Sequence, residues 1–310
     1  MSNSILKPLC ANCGSIDTAY YAKANDVEYF TSAKCFQYHH CNNCDVLFID
    51  PMPVNELQII YPSNYYSFTT NINGFSFKVK NYLDKLFFRK LFKQIHTPSL
   101  NVLDIGGGTG WLLDTIKSID KRVVHTQIVD IDKIAATTAV ENGHHYFCGT
   151  IETFETEKKY HVILLLNLIE HVANPGLVLE KANQLLAPGG FVIVKTPNYK
   201  SWDAMLFKDK HWGGYHCPRH WVIFNKQSFE ALANKCNLTV SQFNYTQGAP
   251  FWTVSILHYL HKKRWLKASA QKPLIYHPLF GIISIITAAF DFLRKPFAPL
   301  SQMFFILTKK

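Results

Sequence analysis

The sequence predicts an α/β protein built on a doubly wound sheet, with a small cysteine-bearing module before it and an apolar helical insertion near its end. Three observations predict this. Strand-like and helix-like segments alternate from about residue 100 to residue 247. A glycine-rich loop, Asp104-Ile-Gly-Gly-Gly-Thr-Gly110, sits where a strand gives way to a helix. Two Cys-x-x-Cys pairs stand near the start of the chain, far from that loop.

The chain has 310 residues, of which 48% are apolar, enough for one large domain core and a small second one. Its formal net charge of +10 calls for something acidic or anionic outside it: nucleic acid, an anionic membrane surface or a phosphorylated substrate. No long apolar run opens the sequence, so a secretory signal is not expected. Its 8 cysteines are too few for a disulfide scaffold at this length. A reducing, cytoplasmic setting is expected.

Five stretches follow in order. Residues 1–60 form the cysteine module. Residues 61–97 form a linker and a basic amphipathic helix at 78–96. The apolar set of that helix is Val79, Leu83, Leu86, Phe87, Leu91 and Ile95. Residues 98–247 form the sheet core, residues 248–301 an apolar and basic insertion, and residues 302–310 a final strand. Strands are expected at 101–105, 126–130, 146–148, 161–166, 191–196, 239–245 and 304–308. The run His161-Val-Ile-Leu-Leu-Leu166 is continuously apolar, as in a strand covered on both faces. A helix should follow Pro175 and stop at Pro188-Gly-Gly190, and Asn225 should cap another that ends at Lys235.

The loop spacing is Gly-x-Gly-x-Gly with an acid two residues ahead, rather than the Gly-x-Gly-x-x-Gly of a pyrophosphate loop. That suits a ligand without a pyrophosphate but with an amino-acid moiety, whose ammonium Asp104 can hold directly or through water. Asp130 closes the next strand, where a carboxylate can accept both ribose hydroxyls. These residues resemble the class I S-adenosylmethionine-dependent methyltransferases of the ubiquinone-methyltransferase-like group. The likeness extends through Asn167-Leu-Ile-Glu-His-Val172, Asn174-Pro175, Leu186-Ala-Pro-Gly-Gly190 and Thr196-Pro-Asn198. It implies a Rossmann-like seven-stranded methyltransferase sheet. It also implies cofactor contacts from Asp104, Gly106, Gly108, Gly110 and Asp130, and from Asn167 on the methionine side. Many relatives have an Asp where this chain has Thr150, so adenine would lean on the Thr150–Ile151 backbone or the Thr150 hydroxyl.

Cys10-x-x-Cys13 and Cys41-x-x-Cys44 offer four thiolates for tetrahedral zinc. Four protein ligands leave no open position, so a zinc-ribbon-like site would be structural. Cys35 is a possible substitute ligand, whereas Cys148 and Cys236 read as core cysteines. The segment that follows, through Tyr61-Pro-Ser-Asn-Tyr-Tyr66, resembles the zinc-binding region fused to sugar and secondary-metabolite methyltransferases. In that resemblance the module covers the substrate, and aromatics such as Tyr61 and Tyr65 reach toward the cofactor. Packing is their alternative role.

Two histidine-bearing clusters should face the acceptor: Glu170-His171, and His211-Trp-Gly-Gly-Tyr-His216-Cys-Pro-Arg-His220. His216, His220 and His171 are the candidate bases. In related quinone O-methyltransferases the Glu-His pair is near a divalent metal; orienting the loop is the other reading. Pro218-Arg219-His220 resembles a signature of lipopolysaccharide-cluster methyltransferases. Arg219 would hold a substrate phosphate or carboxylate, or else form a structural salt bridge. Residues 248–301 carry apolar stretches flanked by Lys, Arg and Trp. Such segments lie in a membrane interface, pack over the substrate site, or form a dimer face. The expected acceptor is a small molecule, a glycan or a lipid-linked compound, with peripheral contact to the inner membrane face. A zinc-containing RNA methyltransferase and a non-catalytic zinc scaffold are the competing readings. Nucleic acid is the less favoured partner, because the positive charge sits in apolar segments.

Overall fold

The apolar runs pair into two sheets. The computed structural model describes residues 7–62, 65, 75–210 and 212–310. Expected features at Ser63, Asn64, Tyr66 and His211 lie outside these.

In chain order, β1 (Thr18–Asn25), β2 (Cys35–Cys41) and β3 (Leu47–Asp50) form an antiparallel meander, followed by α1 (Leu57–Ile60) and α2 (Phe75–Phe92). The core follows: β4 (Leu100–Ile105), α3 (Trp111–Ile119), β5 (Val123–Asp130), α4 (Lys133–Glu141), β6 (His145–Cys148), β7 (Tyr160–Leu166), α5 (Pro175–Leu185) and β8 (Leu186–Pro197). Then come α6 (Trp202–Phe207), β9 (Val222–Ile223), α7 (Lys226–Lys235), β10 (Leu238–Thr246), α8 (Ala249–Lys262), α9 (Leu279–Arg294) and β11 (Gln302–Lys309).

The large sheet has the order β10-β11-β8-β7-β4-β5-β6. Strands β4 to β8 run parallel to their neighbours, and β11 lies antiparallel to both β8 and β10. The seven strands expected from the sequence are all present. β7 shows why the pattern was readable: its Val162, Ile163, Leu164 and Leu165 are fully buried, since helices cover both faces. Asn174 caps α5, with Pro175 in its first turn, and Asn225 forms a capping box with Ser228 at α7. The helix after Pro175 ends at Leu185, ahead of Pro188-Gly-Gly190, because Leu186 already pairs with Tyr160 across the sheet.

The small sheet has the order β1-β2-β3-β9. Its fourth strand comes from beyond β8, so the cysteine module and the core share one sheet. Asp45 fastens the two parts. Its carboxylate accepts from His40 at 2.8 Å and Asn225 at 2.9 Å, and also from Tyr199 and Lys200. Burial opposes ionisation there, but these donors hold the carboxyl well below the usual range.

Three expectations are corrected. In α2, Leu91 is buried and Phe87 half-buried, and Ile95 is buried just beyond the helix. Val79, Leu83 and Leu86 are exposed, so the expected stripe is covered at its C-terminal end alone. Cys35 begins β2 while Cys41 ends it, about 20 Å apart at 3.3 Å per residue, so Cys35 cannot replace a ligand beside Cys41. Cys148 is exposed at the end of β6, not a core residue; Cys236 is buried as expected.

Residues 249–294 form two contacting helices. α8 buries Trp252, Val254 and Leu257 against the rest of the protein, whereas α9 leaves most of its apolar side chains exposed. Among the described residues, no helix is long and apolar enough to cross a membrane.

Candidate functional site

The ligand loop leaves the C-terminal end of β4, between β5 and β7, where the order of connection reverses. Gly106, Gly108 and Gly110 take φ of 79°, 51° and 80°. A Cβ on Gly110 would stand 2.6 Å from the His144 ring, and one on Gly107 would stand 2.7 Å from the Asp104 carboxyl carbon. Side chains are therefore excluded at both positions, which keeps the loop backbone open toward a ligand. The Gly108 N–H donates to Asp130 Oδ2 at 2.9 Å, and the Asp132 N–H to Oδ1 at 3.0 Å. Asp130 thus joins the end of β5 to the loop.

Asp104 is buried beneath that loop. Burial and the nearby Asp130 charge push its carboxyl up to about 8. Burial also raises Asp130. Two carboxyls held in this way fit a ligand carrying a cation and vicinal hydroxyls. The Gly149 N–H donates to the Asp130 carbonyl at 3.0 Å, which brings the turn at Thr150, exposed, and Ile151, buried, to the same end of the sheet. Asn167 follows β7 with φ of 54°, its N–H on the Lys195 carbonyl at 2.8 Å. The neighbouring Leu168 packs over Gly106. All eight expected cofactor residues therefore gather at one end of the sheet. α2 closes against α3 there: Lys80 lies 4.1 Å from the Trp111 ring centre, and Thr115 donates to Asn81 at 2.8 Å.

The three candidate bases meet where His171, four residues beyond Asn167, faces His216 and His220. The ring centres of His171 and His220 are 4.6 Å apart, and those of His216 and His220 are 5.0 Å apart. His220 Nδ1–H donates to the Gly214 carbonyl at 2.7 Å, which leaves Nε2 as the basic nitrogen. His171 Nδ1–H is shared between the Arg219 carbonyl, 3.0 Å, and Tyr61 Oη, 2.9 Å. Burial, together with the neighbouring His216, brings His171 down to about 3, and burial with the neighbouring His171 lowers His220, so both rings are neutral. Glu170 is fully buried, accepts from Thr196 at 3.0 Å, and is pushed up to about 8 by burial. Its Oε1 has no hydrogen-bond partner among the described residues and lies 3.9 Å from His220 Nε2. Glu170, His171 and His220 place one ligand-type atom each within 4.8 Å of one another, a set suited to moving a proton or holding a cation.

His216 is engaged at both ring nitrogens. Nδ1–H donates to Glu28 at 2.8 Å, and Nε2 meets the Tyr65 hydroxyl at 2.9 Å. Glu28 was not anticipated from the sequence, because no motif marks the loop that carries it. Arg219 is not a substrate clamp: fully buried, it pairs with Asp26 at 2.9 Å and donates Nε–H to the Ile60 carbonyl at 2.6 Å. Of its two readings, the structural salt bridge is the one observed.

The four module cysteines converge. Cys10–Cys44 and Cys13–Cys41 sulfur distances are both 3.6 Å, and all four sulfurs lie within 4.8 Å of one another. A tetrahedron of zinc–sulfur bonds has edges of about 3.8 Å. Each pair forms the same turn: the Gly14 N–H donates to the Cys10 carbonyl at 2.7 Å, and the Asp45 N–H to the Cys41 carbonyl at 3.0 Å. The donor set fits a closed zinc site.

The sheet order and the loop define a class I methyltransferase domain. The methyltransferase domain family model matches residues 78–242, more than half of the chain, and the chain belongs to that family. It is 32% identical over 108 residues to a ubiquinone biosynthesis O-methyltransferase of Bradyrhizobium sp. (strain ORS 278), across 34% of this chain and 42% of that protein. It is 29% identical over 140 residues to the enzyme of the same description from Idiomarina loihiensis, across 43% of this chain and 53% of that protein. The chain thus spans about half or less of these relatives. Its fold is similar to that of coclaurine N-methyltransferase bound to N-methylheliamine and SAH, with a TM-score of 0.52 and 15% identity over 83% of this chain and 82% of that one. It is also similar to that of a plantazolicin methyltransferase in complex with SAH, with a TM-score of 0.50 and 16% identity over 83% and 98% of the two chains.

Proposed function

We propose that the protein transfers a methyl group from S-adenosylmethionine to a small-molecule, glycan or lipid-linked acceptor. One observation carries this reading: His171, on the loop that continues from Asn167 next to the glycine loop, meets His216 and His220 of the segment before β9, and the cysteine module contributes Glu28 to this cluster while the linker contributes Tyr61 and Tyr65.

Asp104, Gly106, Gly108, Gly110, Asp130, Thr150, Ile151 and Asn167 would hold the cofactor, which supplies an electrophilic methyl group on a sulfonium. The chain's own residues manage the acceptor proton. His220, its tautomer set by Gly214, offers Nε2 as the base, with neutral Glu170 beside it. His171 is held ready in the same tautomer. His216, oriented by Glu28, acts through the Tyr65 hydroxyl, which can accept a proton only as it passes its own to His216 Nε2. Zinc on Cys10, Cys13, Cys41 and Cys44 would be structural, and it would fix the module that delivers Glu28. The reading puts the protein in the cytoplasm, where thiols stay reduced, at the inner membrane face where a lipid-linked acceptor would be met.

Calorimetry should detect adenosylmethionine binding, and elemental analysis one zinc per chain. Labelled methyl should pass from the cofactor to the glycan or lipid fraction of an extract. Label entering RNA alone, or no cofactor binding, overturns the reading. His220→Gln should lower turnover by about 100-fold while leaving cofactor affinity unchanged. Unchanged turnover removes His220 from the chemistry.

A further inference from the structure

α9 is inside out. Its polar residues face the protein, and its apolar residues face outward. Thr287, Asp291 and Arg294 are buried. Ser284 meets Thr253 of α8 at 2.9 Å. Asp291 accepts from the Gly248 N–H at 2.8 Å, from Trp252 Nε1 at 3.2 Å and from Arg294 Nε at 2.8 Å. Arg294 also donates to the Pro299 carbonyl at 3.1 Å. This network fixes the rotation of the helix about its axis, because turning it would bury unpaired polar groups. The opposite face carries Ile282, Ile285, Ile286 and Leu293, with Phe292 and then Phe297 beside it, at 59%, 73%, 62%, 71%, 77% and 86% exposure. An apolar surface held outward by a buried, hydrogen-bonded polar network is built to meet an apolar medium.

Charge selects the medium. Lys263, Arg264, Lys267 and Lys272 precede this helix and Lys295 follows it, while the buried Asp291 is the one acid from residue 248 to the end. Across a twofold axis, a second copy would set one positive rim against another. An anionic bilayer surface complements both the apolar face and the rim. At 16 residues the helix is about 24 Å long, short of the hydrocarbon thickness of about 30 Å, so it would lie along the interface. Trp265, 74% exposed within the basic turn, is the residue type that anchors there. Arg294 lies 5.3 Å from the Trp202 ring, at the start of the helix that follows β8, which ties this face to the acceptor end of the sheet.

We propose that the outward face of α9, with the basic turn before it, docks the protein on an anionic lipid bilayer. This rests on surface geometry and is independent of the methyl-transfer reading. The test is vesicle flotation with the full chain. Protein should rise with phosphatidylcholine vesicles containing phosphatidylglycerol, and not with phosphatidylcholine alone. The triple variant Ile285→Gln, Ile286→Gln, Phe292→Gln and the triple variant Lys263→Glu, Arg264→Glu, Lys267→Glu should each weaken binding by about tenfold or more. Both sets are exposed, so melting temperature should hold in each, which separates lost docking from lost folding. A wild type that stays down with anionic vesicles overturns the proposal. So do variants that float like the wild type, or a wild-type dimer that the glutamine variant dissolves; the last result would assign the face to a second copy.

Discussion

The two ends of the site are built in different ways. The cofactor end is local: Asp104 and four glycines fall within seven consecutive residues, and Asp130 reaches them from the adjacent strand. The acceptor end is assembled from distance: His216 meets Glu28 across 188 residues of chain, Tyr65 meets His216 across 151, and Arg219 meets Asp26 across 193. The first depends on backbone shape in one loop. The second depends on the cysteine module staying docked, so the two ends should fail separately and by different routes.

The largest test is Arg219→Ala. It would leave the Asp26 carboxylate buried without its cation, a change that costs about 3–5 kcal/mol. A large fall in melting temperature is expected, with loss of activity following from loss of the module. The double variant Asp26→Leu, Arg219→Met removes both charges and should recover much of that stability. If Arg219→Ala instead melted like the wild type and raised only the KM for acceptor, Arg219 would be a substrate contact and the two ends would be alike.

Gly110→Ala probes the other end. Placing a side chain at φ of 80° costs about 1–2 kcal/mol, and the contact with His144 adds about 1–3 kcal/mol. Cofactor affinity by calorimetry should fall by about 100-fold, while the zinc content stays at its wild-type value. Zinc lost together with cofactor binding would mean that the two ends are coupled.

The same contrast explains what could be read from sequence. The glycine loop, Asp130 and the capping residue Asn225 act on neighbours along the chain or on the next strand, so residue type and spacing reveal them. The three histidines stand out in the sequence by residue type, but the partners that engage each of them do not. Glu28 occupies His216 Nδ1 from a loop with no pattern of its own, and Tyr65 meets its Nε2. Arg219 offered two readings because its partner, Asp26, lies in the same unmarked loop. α9 shows a related gap. Periodicity separates its apolar stripe from its polar one, but which stripe faces inward is decided by Thr253, Trp252 and Gly248 of the preceding segment.

The smallest effect separates the ends by pH. Asp104 without ligand is protonated up to about pH 8, because of burial and Asp130. In the unfolded chain it ionises near 3.8. Between these values the folded state holds one more proton than the unfolded state. This group's contribution to stability is therefore full below the lower value and is lost as pH rises through the upper one. A cationic ligand needs the ionised carboxylate, so its binding should release a proton below pH 8. Affinity should then rise by up to about tenfold per pH unit toward pH 8 and level off above it, while the ligand-free protein loses stability over the same range. Calorimetry in two buffers of different ionisation enthalpy at pH 6.5 reads the released proton directly. Asp104→Asn should bind more weakly and flatten the profile. A profile that is already flat in the wild type would show that Asp104 is not where the positive charge of the ligand is met.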